Sequence, residues 1–116
     1  GSEAESNKTP LGLLRVSEKF GEGMAVGTVF KDRLPTGQIW QPGEEGENLI
    51  LTRILWLEGC EPHNANTKDR YIYLHGTRHE SRLGTPLSHG CICLSNKDII
   101  EVFDLMPVGS LVEVVP

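Results

Sequence analysis

At 116 residues, with 38% hydrophobic and 23% charged, the chain has the size and balance of one soluble globular domain around one core, which excludes disorder. Its formal charge of −5, with Lys and Arg scattered singly, excludes the clustered basic surface that nucleic acid requires. No apolar run is long enough to span a bilayer, so no membrane insertion is expected. The three cysteines, an odd number, leave at least one thiol free and argue against a disulfide framework.

In chain order, residues 1–8 read as a polar arm that opens on an expression scar, Gly1-Ser2. A missing targeting segment therefore carries no information on compartment. Thr9-Pro10-Leu11-Gly12 has turn chemistry. A domain over 9–116 follows. Leu13–Val16 reads as a short strand and Met24–Phe30 as another, interrupted by Gly27. Lys31–Gly37 reads as a turn region, Gln38–Trp40 as a brief strand and Gln41–Asn48 as a loop. Leu49–Leu57 is almost continuously apolar, as a strand covered on both faces should be, with Arg53 as the oddity inside it. After the polar loop Glu58–Arg70, Tyr71–His75 reads as a strand. Its alternation puts Tyr71, Tyr73 and His75 on one face, and Ile72 and Leu74 on the other. The Gly76–Leu87 loop leads to Cys91–Leu94, a short extended piece. Ser95 then caps a helix, with Asp98 at the capping-box position and Ile99, Val102, Phe103 and Met106 on its apolar face. Pro107 and Gly109 end the helix, and Leu111–Val115 reads as a closing strand.

The chemistry-bearing residues gather in Tyr71–Asn96. Cys91 follows Ser88-His89-Gly90, where glycine permits a sharp bend, and a neighbouring imidazole draws a thiol pKa down toward neutrality. A buried filler is the plain alternative for any cysteine. His75, ending a strand, is placed to act as its base. His89 takes a supporting role, either near an oxyanion or in fixing the loop. A zinc site drawn from His63, His75, His79, His89, Cys60, Cys91 and Cys93 is the rival reading. The Gly76-Thr77 break between His75 and His79 and the close Cys91-x-Cys93 spacing weigh against it. Cys93 reads as a core filler, or as a second thiol able to resolve an oxidised Cys91. Cys60 reads as a bystander, and Trp40 and Trp56 as core.

YIYLHGT followed by SHGCICLSN resembles the signature of the YkuD-type L,D-transpeptidase catalytic domain, in which an HG motif precedes [S/T]HGC. Thr9-Pro10-Leu11-Gly12 resembles the family's TPxG segment, and Asn96–Val115 its helix, Gly turn and last strand. The resemblance implies a mostly-β fold with one clear helix, a compact β-sandwich or barrel. Because the chain starts almost at TPxG, that fold is expected to be truncated at its N-terminal edge. It further implies that Cys91 is the acylated nucleophile and His75 its general base, with the Gly76 carbonyl orienting the ring. Main-chain N–H groups around Gly90 and Cys91 would form the oxyanion hole, with Ser88 and His89 shaping the loop. Tyr73, Arg53, Arg82 and Thr85 are the expected substrate-side residues. The implied substrate is a peptidoglycan tetrapeptide stem, which loses D-alanine as the acyl group passes to an amine. Carbapenem-type β-lactams are the implied acylating ligands, and the implied compartment is the bacterial envelope. The scheme requires no cofactor.

Two departures stand out: Cys93 replaces the usual Arg or Asn, and the loop between His75 and Ser88 is short for the family. A missing guanidinium at position 93 removes one anchor for a substrate carboxylate, a role that Arg53, Arg78 or Arg82 could fill. An L,D-carboxypeptidase and a catalytically silent wall-binding module are the alternative functions.

Overall fold

The fold is organised by one long strand with partners along both edges. The computed structural model describes residues 12–41, 50–77 and 91–114. Among the described residues the strands are β1 (Gly12–Phe20), β2 (Thr28–Lys31), β3 (Leu34–Ile39), β4 (Ile50–Gly59), β5 (Tyr73–Gly76), β6 (Ile92–Leu94) and β7 (Leu111–Val114), with one α-helix, α1 (Asn96–Leu105), and two short 3-10 turns between β4 and β5. β4 is the apolar run expected to be covered on both faces. Its Ile54, Leu55 and Trp56 pair with Phe20, Lys19 and Glu18 of β1 on one edge, and with His75, Leu74 and Tyr73 of β5 on the other. β2 continues the line of β1 along the same edge, pairing Val29 with Leu51. β7 pairs antiparallel with β1, β3 with β2, and β6 parallel with β5.

The expected sandwich or barrel is corrected by this topology. All seven strands belong to one sheet, and it does not close: among the described residues β6 pairs only with β5, and β7 only with β1. Alternation within a strand reports which face is covered, not whether the last strand meets the first, so strand pattern alone could not decide closure. The mostly-β character with one clear helix stands.

Each face of the sheet carries its own apolar cluster. Leu14, Val16, Leu55, Leu57, Ile72 and Leu74 pack on one face under Ile99 and Phe103 of α1. Phe30, Ile54 and Tyr73 form the second cluster, with Phe20, Ile50, Trp56 and Cys91 against it. The period-two split of Ile72 and Leu74 from Tyr73 is thus observed. The helix starts as its sequence predicts, with Ser95 Oγ accepting the Asp98 N–H at 3.0 Å.

Several strand boundaries differ from expectation. β1 runs on past Val16 because β4 pairs with Glu18, Lys19 and Phe20, across a bulge that holds Ser17. Met24–Phe30 contracts to Thr28–Lys31, leaving Met24 and Val26 exposed. Where a turn region was expected, Lys31 pairs with Leu34 across a two-residue hairpin turn. Its residues, Asp32 and Arg33, both have positive φ. The strand that follows, β3, is exposed along its whole length, which is how it tolerates Pro35. The polar arm 1–8, Thr9–Leu11 and most of the Gln41–Asn48 loop lie outside the described residues.

Candidate active site

His75 occupies the third position of β5, between the sulfur-bearing strand β6 and β4, and is 1% exposed. Its Nδ1 lies 2.7 Å from the carbonyl oxygen of Gly76. A carbonyl only accepts, so Nδ1 carries the proton and Nε2 presents a lone pair. Burial, which penalises the imidazolium, holds the His75 pKa below its ordinary value of 6.5, and the Gly76 bond partly opposes this. The ring is therefore a neutral, oriented base at neutral pH.

The backbone behind it is fixed by a buried polar chain. Gly27 N–H donates to Thr52 Oγ1 at 2.9 Å, Thr52 Oγ1 to Asn96 Oδ1 at 2.5 Å, and Asn96 Nδ2 to the Thr77 carbonyl at 3.1 Å. Thr52 holds its place at a φ of 75°, a strained conformation for a β-branched residue, where the β4–β5 register shifts between Leu51 and Ile54. Gly76 has no room for a side chain: a Cβ there would lie 2.6 Å from Asn96 Oδ1 and 2.8 Å from the Leu51 carbonyl.

Two sulfurs share the face of β6 that meets His75. The parallel register sets Cys93 opposite His75, and Cys93 Sγ lies 3.7 Å from His75 Nε2. Cys91, two residues earlier, takes the Tyr73 N–H at 3.4 Å and donates to the Tyr71 carbonyl at 3.4 Å. Both thiols are half-buried and in no disulfide, and Cys60 is exposed elsewhere. The structure thus brings Cys91, Cys93, Tyr73, His75 and Gly76 together, with Cys93 as the sulfur recorded at Nε2. Arg53 sits apart from them. Its Nη1 donates to the carbonyls of Met24 at 2.9 Å and Thr52 at 2.6 Å, and its guanidinium lies 5.6 Å from the Phe103 ring on the helix side of the sheet. Arg78, Arg82, Thr85, Ser88, His89, Gly90 and His79 lie outside the described residues. Among the described residues no three His, Cys, Asp or Glu side chains gather to hold a metal ion.

One neighbour escaped the sequence reading. Arg33 Nη1 donates to the Tyr73 hydroxyl at 2.9 Å, and its guanidinium lies 4.6 Å from the Trp56 ring and 5.4 Å from that of Tyr71. Trp56 stacks on Tyr71 at 5.8 Å and meets Tyr73 edge-on at 6.0 Å. Burial keeps the Tyr73 phenol above its ordinary value of 10.0 against the pull of Arg33, so it stays protonated at neutral pH. Only the hairpin could have signalled this, and Asp-Arg is a weak turn pair in sequence.

Comparison with known proteins bears on the same residues. The model of the YkuD family, described as an L,D-transpeptidase catalytic domain, matches residues 1–114. Two proteins named "Putative L,D-transpeptidase YkuD" are similar. That of Bacillus licheniformis is 37% identical over 92 residues, covering 72% of this chain and 51% of its own. That of Bacillus subtilis is 39% identical over 91 residues, covering 78% and 50%. The chain thus spans about half the length of these curated relatives. No solved structure matches it.

Proposed function

Because the chain belongs to the YkuD family of L,D-transpeptidase catalytic domains, we propose that it is a cysteine acyltransferase acting on peptidoglycan tetrapeptide stems in the bacterial envelope. The observation that carries this reading is a neutral, buried imidazole whose Nδ1 is held by its own strand and whose Nε2 faces β6, the strand that bears Cys93 and follows directly on Cys91.

Cys91, the cysteine of SHGC, is the nucleophile. Its sulfur attacks the carbonyl between the diamino acid and the terminal D-alanine, and its proton passes to His75 Nε2. The Gly76 carbonyl, bonded to Nδ1–H, stabilises the imidazolium as the aspartate of a triad would. Main-chain N–H groups at Gly90 and Cys91 receive the oxyanion. The C–N bond then breaks, His75 returns the proton to the departing amine of D-alanine, and a thioester remains on Cys91. An acceptor amine attacks that thioester, losing its proton to His75; the C–S bond breaks, and His75 returns the proton to the departing Cys91 thiolate. For the first step the Cys91 S–H must leave the Tyr71 carbonyl for Nε2, displacing the Cys93 thiol. Cys93 is thus a cap on the resting base.

The 3.7 Å contact of Cys93 with Nε2 favours one second reading, in which Cys93 is itself the acylated sulfur. Intact-mass measurement after exposure to a carbapenem-type β-lactam or a tetrapeptide stem separates the two. Under the main reading Cys91→Ser takes up no acyl group, while Cys93→Ala is acylated at least as fast as the native protein. The reverse pattern assigns the chemistry to Cys93. Absence of acylation at either thiol in the native protein would sink both.

A further inference from the structure

We propose that Arg33 is the carboxylate anchor of this site, binding an acidic group of the acyl donor from the β2–β3 hairpin; this rests on the acyl-transfer reading above. Position 93, where the family's pattern usually has Arg or Asn, holds a cysteine turned to His75. Arg53 is engaged on the helix side by two carbonyls and the Phe103 ring. Arg33, by contrast, lies on the face that carries the thiols.

Its setting is that of a presented cation. The planar head lies over Trp56, with Tyr71 alongside, and one nitrogen donates to the Tyr73 hydroxyl. Stacking and that single bond fix the orientation of the guanidinium before any ligand arrives, which lowers the entropy lost on binding. Its other N–H groups bond no described residue, and it forms no ion pair with a described carboxylate. Lys68, on the same tryptophan at 4.9 Å, is instead paired with Glu18 at 3.4 Å. A hollow lined by Asp32, Arg33, Ile50, Tyr71 and Tyr73 opens beside the head group.

Tyr73 links this cation to the chemistry. Its hydroxyl receives the Arg33 N–H, and its backbone N–H is bonded to Cys91 Sγ. The guanidinium and the sulfur thus sit at opposite ends of one tyrosine. A peptide spanning that length with its scissile carbonyl at Cys91 would place a neighbouring carboxylate at Arg33, where a guanidinium fork takes it bidentately. Asp32, on the rim of the same hollow, disfavours a second negative charge, so a single carboxylate fits better than a dianion.

The carboxylate has two sources in the stem: the terminal D-alanine, and the side chain of the diamino acid. Three full-length proteins are compared: native, Arg33→Gln and Arg33→Lys. D-Alanine release is followed from a stem with both carboxylates free, from one ending in D-alaninamide (where D-alaninamide is the product), and from one with the side-chain carboxylate amidated. Separately, labelling of Cys91 by anionic iodoacetate and neutral iodoacetamide is timed by intact mass and peptide mapping. With both carboxylates free, kcat/KM falls about tenfold to hundredfold in Arg33→Gln, mostly through KM, with part retained in Arg33→Lys. The amidated stem on which native and Arg33→Gln proteins perform alike identifies which carboxylate is held. The ratio of iodoacetate to iodoacetamide labelling falls in Arg33→Gln.

If Arg33→Gln matches the native protein on every stem and in the labelling ratio, the anchor is overturned while the acyltransferase stands. If no stem releases product but the labelling ratio still falls in Arg33→Gln, the anion site survives and the stem-peptide reading fails.

Discussion

On the proposed acyl-transfer reading, a single carbonyl sets what His75 can do. The 2.7 Å contact to Gly76 commits the proton to Nδ1, and burial keeps the ring neutral, so Nε2 is ready to take a thiol proton without first losing one of its own. With the folded pKa held below 6.5, the working form persists under mildly acidic conditions. The acid limb of acylation rate against pH therefore falls below pH 6.5, and a limb above it would contradict the burial argument. The same shift is linked to stability. Protonation favours the unfolded chain, whose histidine titrates near its ordinary value. The contribution of His75 is thus fully present above about pH 6.5 and is lost as pH falls through the folded value. Urea midpoints of the native protein should drop more steeply between pH 7.5 and 5.5 than those of His75→Gln, and parallel curves would remove the linkage. The role of Cys93 belongs to this scale too. Its contact with Nε2 depends on the parallel register of β5 and β6, and a slip of one residue would turn it to the other face. Composition and motif carry no information about that register, so a cysteine read mainly as filler lies against His75 Nε2.

Among the elements, those with dense local signals were legible in the chain and those defined by pairing were not. The helix after Ser95 has its cap, its apolar spacing and its Pro-Gly stop in sequence, and the structure has all three. β4 announces itself as an unbroken apolar run. The first half of β3 was hidden because Pro35 and Gly37 are strand breakers everywhere except on an exposed edge, and the second half of β1 because it is polar and held by β4 rather than by its own propensity. The bringing together of His75 and the Cys91 segment was legible from the residues, but the parallel pairing of β5 with β6, which sets Cys93 at the histidine, was not. Tightness at that junction is testable. In Gly76→Ala the new methyl would meet the Leu51 carbonyl and Asn96 Oδ1, neither of which can retreat without breaking the Thr52–Asn96–Thr77 chain. We expect a loss of about 1–3 kcal/mol in denaturant unfolding. Ser95→Ala, which forfeits only a cap bond, should lose about 1 kcal/mol. A Gly76→Ala protein as stable as the native would mean that the junction has slack.

Taken as a whole, the described molecule is an open sheet with a net negative charge, and like charge opposes the approach of a second copy. At pH 7 the formal charge is −5, and the sequence pI is about 5.3, so lowering the pH toward that value removes net repulsion. What then comes forward is the margin of the sheet. β7 meets no strand on its far side among the described residues, and Leu111 on it is 62% exposed. A strand edge that carries a large apolar side chain and pairs with no described strand is a template for pairing with a second copy. Leu105, 79% exposed at the end of α1, is just as apolar but offers no strand backbone to pair with. This contrast separates edge pairing from mere greasiness. Leu111→Glu and Leu105→Glu alter net charge equally, so each is measured at its own pI. Light scattering there should fall well below the native level for Leu111→Glu and stay close to it for Leu105→Glu. Equal suppression by both would mean that association follows exposed apolar area in general, and equal persistence would move the contact away from β7 altogether.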